Sequence, residues 1–159
     1  MFEIERKFII RIPETLPEKR AAMAQTYLVT DAGTERVRKV TDENGVRYFH
    51  TAKKRVTDMT AEERERQIDR AAYEQYLTRR DPARRTVEKT RYYYPYKGLT
   101  FEIDVYPFWT RQCVMEVELE REDQPVAFPP DIEILREVTG EKAYKNVSLA
   151  KRIPEEIAE

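Results

Sequence analysis

The sequence predicts a mainly β, α+β fold: an eight-stranded antiparallel barrel, closed into a tunnel with a charged interior and flanked by a few helices. Three observations predict it. Short stretches that alternate with period two recur about eight times, joined mostly by short turns. Along most of them one face is charged and the other apolar. The charged faces often repeat one sign along a strand, as Glu-x-Glu, Arg-x-Arg, Lys-x-Arg and Glu-x-Asp. A solvated face gains nothing from such repetition, because like charges in register are mildly unfavourable. A closed sheet with these faces inward makes a wet, charged channel.

The first strand is Met1 to Ile10, with Glu3, Glu5 and Lys7 on one face and Ile4, Phe8 and Ile10 on the other. Pro13 to Pro17 breaks it, and Glu18 to Ala24 has the propensity of a short helix. Gln25 to Thr30 is the second strand and Thr34 to Thr41 the third, with Arg36 and Arg38 in phase. Asn44-Gly45 marks a hairpin into Val46 to Lys54, which carries Phe49, Thr51 and Lys53 in phase. Residues 55 to 60 are expected as a linker, and the later part of 61 to 69 as a strand with Glu63, Glu65 and Gln67 in phase. Arg70 to Arg79 is an amphipathic helix ended by Asp81-Pro82. Arg85 to Tyr94 is a strand with Lys89 and Arg91 in phase. Leu99 to Tyr106 places Glu102 and Asp104 on one face, and Gln112 to Arg121 places Glu116, Glu118 and Glu120 on one face. Asp131 is expected to cap a helix through Val138, and Tyr144 to Lys151 to form another. The helices at 70–79 and 131–138 are expected to cover the apolar outer face.

The 159 residues suffice for one domain, 1–159, with a real core. Charged residues make up 37%, well above the usual quarter, yet 29 Lys+Arg and 30 Asp+Glu leave a net charge of −1. That balance argues against a general nucleic-acid binder. No apolar run spans a membrane and no signal-peptide segment is expected, which points to the cytoplasm. One cysteine, Cys113, and one histidine, His50, exclude an intrachain disulfide and a cysteine or histidine metal cluster. A metal here would be hard and oxygen-ligated. His50 is out of phase with Lys53 and is expected to face outward. Cys113 and the run Tyr92, Tyr93, Tyr94 and Tyr96 are read as packing residues.

Inward Lys7, Arg36, Arg38, Lys53, Lys89 and Arg91 can cradle several phosphates in a row. The acids Glu3, Glu5, Glu63, Glu65, Glu102, Asp104, Glu116 and Glu118 repel phosphate unless divalent cations bridge the two. This combination suits phosphoryl transfer, which needs alignment and charge stabilisation above all.

Glu3-Ile4-Glu5-Arg6-Lys7 resembles the E-x-E-x-K signature of the CYTH superfamily, the triphosphate tunnel metalloenzymes. Further blocks look like that family's, in its order: Gln25 to Leu28, Glu35 to Arg38, Thr51 to Lys53, Val87 to Tyr92, Phe101 to Val105, Glu116 to Glu118 and Lys142 to Asn146. The resemblance implies an eight-stranded tunnel and, from the Glu-Lys-Thr-Arg-Tyr block, most closely a bacterial inorganic triphosphatase using magnesium or manganese. It implies that Lys7, Arg36, Arg38, Lys53, Lys89 and Arg91 bind the triphosphate and that Glu3, Glu5, Glu63, Glu65, Asp104, Glu116 and Glu118 surround the metals. Lys7 is implied as a candidate for activating water. Tyr27 either tunes substrate choice or packs. Lys142 and Lys145 either add a phosphate grip or form a solvated basic helix end. Relatives often carry an arginine where this chain has Ala61, so either Arg64 or Arg66 compensates or the grip is weaker there. A class IV adenylyl cyclase, a hydrolase of nucleoside or thiamine triphosphate, and a non-catalytic polyphosphate or nucleotide sensor stand as alternatives. The implied partner is a small-molecule triphosphate, with no membrane and no nucleic acid; a homodimer is left open.

Overall fold

The computed structural model describes residues 1–157. Period-two alternation becomes nine strands: β1 (Phe2–Arg11), β2 (Arg20–Tyr27), β3 (Thr34–Asp42), β4 (Gly45–Arg55), β5 (Thr60–Ile68), β6 (Val87–Tyr96), β7 (Leu99–Val105), β8 (Gln112–Leu119) and β9 (Ile134–Glu137). Helix α1 (Arg70–Leu77) follows β5, and a 3-10 turn (Lys142–Tyr144) leads into the short α2 (Asn146–Leu149). Every strand pairing is antiparallel, in the order β5-β4-β3-β2-β6-β7-β8-β1, and β1 returns to β5 to close the barrel. The seam is short: Phe2, Glu3 and Ile4 pair with Glu62, Ala61 and Thr60. Beyond it, the same edge of β1 pairs with β9 through Phe8, Ile9 and Ile10.

The closed eight-stranded barrel agrees with the expected class; several local expectations change. Residues 18–24 are not helical. Ala21 and Met23 point into the barrel and their backbone pairs with β3 and β6, so two strand partners override alanine's helix propensity. Residues 131–138 are not a helix either, because the open edge of β1 recruits Ile134–Glu137 as a strand. β5 begins at Thr60, inside the expected linker. The C-terminal helix is broken into the 3-10 turn and α2, with Lys145 extended between them.

Two apolar assemblies hold the barrel. Outside, Phe8, Ile10, Phe101, Ile103, Met115 and Val117 form a buried sheet face. Its cover is the extended chain carrying Leu16, Val126, Phe128 and Ile132, in place of the expected helices. Helix α1 buries no residue; instead Tyr73 packs on Tyr48 and Tyr76 stacks on His50 at 4.5 Å. At one barrel end the inward residues Ile9, Tyr27, Val87 and Val114 pack with Tyr106, Trp109, Tyr144 and Leu149, which anchors the C-terminal segment over that end. We call this the C-terminal end.

Gly33 makes the β2–β3 turn with φ +65°, and a Cβ there would lie 2.3 Å from the Lys53 carbonyl oxygen. Gly98 also has positive φ, +81°, but open space around it. Gly98→Ala should therefore cost the left-handed strain alone, about 1–2 kcal/mol. Gly33→Ala should cost more, because the backbone of β4 must also shift; urea denaturation of the two variants compares them directly.

Candidate active site

Register fixes which side chains face inward, since directly opposed residues share a face. Glu5 stands opposite Glu118 and Lys7 opposite Glu116. Glu102 stands opposite Glu116. Lys53 is opposite Glu63, Thr51 opposite Glu65, and Arg36 opposite both Tyr27 and Thr51. Arg38 is opposite Gln25 and Phe49, and Arg91 opposite Asp104. The in-phase sets read from the sequence therefore do share one interior.

In barrel order the interior charges separate into two walls. Lys53 on β4, Arg36 and Arg38 on β3, and Lys89 and Arg91 on β6 form a basic wall, with Gln25 and Tyr27 of β2 between them. Glu102 and Asp104 on β7, Glu116 and Glu118 on β8, Glu3 and Glu5 on β1, and Glu63 and Glu65 on β5 form an acidic wall. Lys7 is the one cation of the expected set on the acidic side. Between the walls lies a cavity of about 710 Å³. Glu3, Glu5, Lys7, Tyr27, Arg36, Arg38, Lys53, Glu63, Glu65, Lys89, Arg91, Glu116, Glu118 and Lys142 all line it.

Asp104 is the exception. It is fully buried outside the cavity lining, with one carboxylate oxygen 2.8 Å from Lys89 Nζ and the other 2.8 Å from Arg91 Nε. With both oxygens taken by cations, it braces the basic wall. Burial opposes its charge, but Arg91 and Lys89 hold its pKa down at about 2. Burial pushes Lys89 down to about 7; Asp104 works against that shift, and the Arg91 and Arg38 charges add to it.

The remaining cations differ in how they are held. Lys53 Nζ lies 2.7 Å from Glu3 and 3.6 Å from Glu63. Lys7 Nζ lies 3.7 Å from Glu116 and donates to the Tyr144 carbonyl at 3.3 Å. Arg36 and Arg38 have no ion-pair partner among the described residues, and Nε of each is buried without a hydrogen-bond acceptor. Arg38 Nη1 reaches only the Met23 sulfur, at 3.6 Å. Burial, then the Arg36 and Arg91 charges, lower the Arg38 pKa to about 10. Against burial, Tyr27 and Glu63 raise the Arg36 pKa, but neither guanidinium has a carboxylate at ion-pair distance among the described residues, so both are poised for an anion.

On the acidic wall, burial and then Glu116 push the Glu5 carboxyl well up, and the two carboxyls share a hydrogen bond. Burial and the contact with Glu63 likewise raise Glu3. These donors are all oxygen, as a hard cation requires. Among the described residues no three or more of them gather into a closed ligand set, so they line the wall as neighbouring pairs.

Arg55 falls within the expected linker, where no apolar alternation marks it as inward-facing. It lines the cavity in phase with Thr51 and Lys53, and its cross-strand partner is Ala61. The cation absent from position 61 thus stands on the adjacent strand. Arg64 and Arg66 do not compensate: both are exposed, and Arg66 donates to the Tyr76 hydroxyl outside the barrel. Gln25 is likewise outside the expected set; it is fully buried, donates to the Tyr27 hydroxyl at 3.0 Å, and leaves Oε1 unpaired. Lys145 joins Lys142 and Arg55 at the cavity mouth. Outside, His50 bonds Glu35 at 2.7 Å, as its outward phase requires.

Asp104→Asn should destabilise the protein by about 3–5 kcal/mol, because it leaves the buried Lys89 without an ion-pair partner and Arg91 with Glu102 alone, at 3.2 Å. Urea denaturation measures this, and a loss under about 1 kcal/mol would deny Asp104 its bracing role.

No family model matches the chain. An inorganic triphosphatase of Nitrosomonas europaea is 35% identical over 159 residues, covering 97% of this chain and all of that protein. A solved structure of an inorganic triphosphatase superposes with TM-score 0.58 at 34% identity, covering 96% of this chain and 97% of that one. A proposed adenylyl cyclase from Hippeastrum, described as having a dominant triphosphatase activity, superposes with TM-score 0.53 at 14% identity over 74% of this chain and 80% of that one. At that identity the likeness concerns the fold alone. Register, two-walled interior and full-length similarity agree: the chain belongs to the inorganic triphosphatase family of the triphosphate tunnel metalloenzymes.

Proposed function

We propose that this protein hydrolyses inorganic triphosphate to pyrophosphate and orthophosphate in the cytoplasm, with a divalent metal, magnesium or manganese. The observation that carries this reading is the pair Arg36 and Arg38, which face the cavity, each with a buried Nε that has no acceptor and with no ion-pair partner among the described residues. Both are free to bind phosphate without first breaking an ion pair. Arg55, Lys142 and Lys145 extend the grip to the mouth. Lys53, Lys89 and Arg91 supply further positive charge from fixed positions, held by Glu3 and Asp104.

The acidic wall fits a metal. Glu3, Glu5, Glu63, Glu65, Glu116 and Glu118 would hold it through pairs, leaving other coordination places to phosphate oxygens and water. When bound, such a cation supplies charge neutralisation and polarisation of the phosphoryl group. The phosphate chain then lies between the walls. Water attacks the terminal phosphorus, a new O–P bond forms, the bridging P–O bond breaks, and pyrophosphate leaves. Lys7 and Tyr27 both line the cavity and are the candidates for aligning that water. Lys7 is fixed by the Tyr144 carbonyl and Glu116, and Tyr27 by Gln25.

Orthophosphate release from inorganic triphosphate, ATP and thiamine triphosphate, each with magnesium and with manganese, tests the reading. Inorganic triphosphate should be the best substrate, and chelation should stop turnover. Glu5→Gln should lower kcat by about a hundredfold or more. Cyclic AMP formation from ATP, or tight phosphate binding without turnover at any metal concentration, would overturn it.

A further inference from the structure

On the basic wall the cavity stops at Arg38 and Arg91, although the inward-facing positions continue; on the acidic wall it runs on to Glu102 and Glu118. The next inward residues towards the far end are Val40 after Arg38 and Tyr93 after Arg91, with Met23 opposite Val40 and Phe49 opposite Arg38. These four do not line the cavity. With Ala21 they form a separate apolar cluster inside the barrel, in which Ala21, Met23 and Val40 are 2%, 5% and 5% exposed. Nothing in the outer face explains its position, because it packs within the charged interior. Arg38 touches it through the Met23 sulfur.

The rest of that end repels phosphate. A cleft of about 510 Å³ there shares Glu102 and Glu118 with the main cavity and adds Glu120, and no lysine or arginine lines it. Two cations elsewhere on this rim are engaged: Arg47 pairs with Asp42 at 2.6 Å, and Lys19 lies over the Tyr93 ring. The C-terminal end is the reverse, with Arg55, Lys142 and Lys145 at the cavity mouth.

We propose that Met23, Val40, Phe49 and Tyr93 form an apolar floor that makes the tunnel one-mouthed for anions. Phosphate chains enter end-on between Arg55, Lys142 and Lys145, their leading phosphoryl stops at Arg38, and products leave by the same mouth. Tyr93 also lines the acidic cleft, so this end is barred to the phosphate chain of a nucleotide or thiamine ester by its carboxylates and lack of cations, and not by closure. The organic part of such a substrate would have to remain at the basic mouth. This inference rests on the phosphate-binding reading above and names the residues that set how far a chain can advance.

The test is equilibrium titration of metal-free protein with inorganic triphosphate and with a long linear polyphosphate. The wild type is compared with Met23→Ala/Phe49→Ala and with the surface variant Glu120→Lys. Opening the floor, or reversing charge beside it, should let longer chains advance. Affinity for the long chain relative to triphosphate should rise about tenfold in either variant. An unchanged ratio in variants that melt as the wild type does would overturn the floor; if the double variant does not fold, Glu120→Lys decides alone. Orthophosphate release by the wild type with magnesium is followed separately. Its absence would sink the catalytic reading while the binding ratio still judges the floor.

Discussion

The structure depends on buried charge that is sorted by strand. A barrel interior normally gains stability from apolar side chains that interdigitate. Here the middle of the interior is charged, and opposite signs stand mainly across the cavity and along the seams between walls. Where they meet, they pair: Lys53 with Glu3, Lys89 and Arg91 with Asp104, Lys7 with Glu116. Arg36 and Arg38, in the middle of the basic wall, have no carboxylate within ion-pair reach among the described residues. The acids of the opposite wall crowd one another, and burial with mutual repulsion raises Glu3 and Glu5. Both walls are incomplete without ions of opposite sign, an anion for one and a cation for the other.

Such an interior needs support from elsewhere. Phe101, Ile103, Met115 and Val117 bury the outer face of the strands that carry the acids. Within the barrel, two apolar layers bound the charged zone. One lies beneath the C-terminal segment and the other around Met23 and Val40. β9 completes the edge of β1 where β5 diverges, so the strand bearing Glu3, Glu5 and Lys7 has partners on both sides. Rigid strands on each side hold those three side chains at fixed spacing, which a loop would not do.

The sequence made the charged faces legible because period two survives folding unchanged: residues in phase on a strand stay on one face. That is why Glu3, Glu5 and Lys7, or Glu116 and Glu118, were found from spacing alone. Asp104 was in phase too, but phase cannot tell a residue that lines a cavity from one sealed behind two cations. Arg55 was lost because residues 55–60 are polar and lack an apolar face, although Arg55 continues the alternation of Thr51 and Lys53. Local propensity misled at Ala21 to Ala24 and at Ile134 to Glu137. In both places the deciding partner is a strand distant in sequence. The floor was invisible for a related reason: Met23, Val40, Phe49 and Tyr93 lie on different strands and meet only once the barrel closes.

The account turns on Arg38 being a buried cation kept for a ligand and not for stability. The direct measurement is thermal melting of Arg38→Met without ligand, together with its turnover of inorganic triphosphate. Removing an unpaired buried charge should leave the ligand-free protein as stable as the wild type or more so. The same change should lower turnover by about 10²–10³-fold, the usual cost of losing one preorganised donor. A variant that melts well below the wild type, or that still turns over at the wild-type rate, would contradict the account.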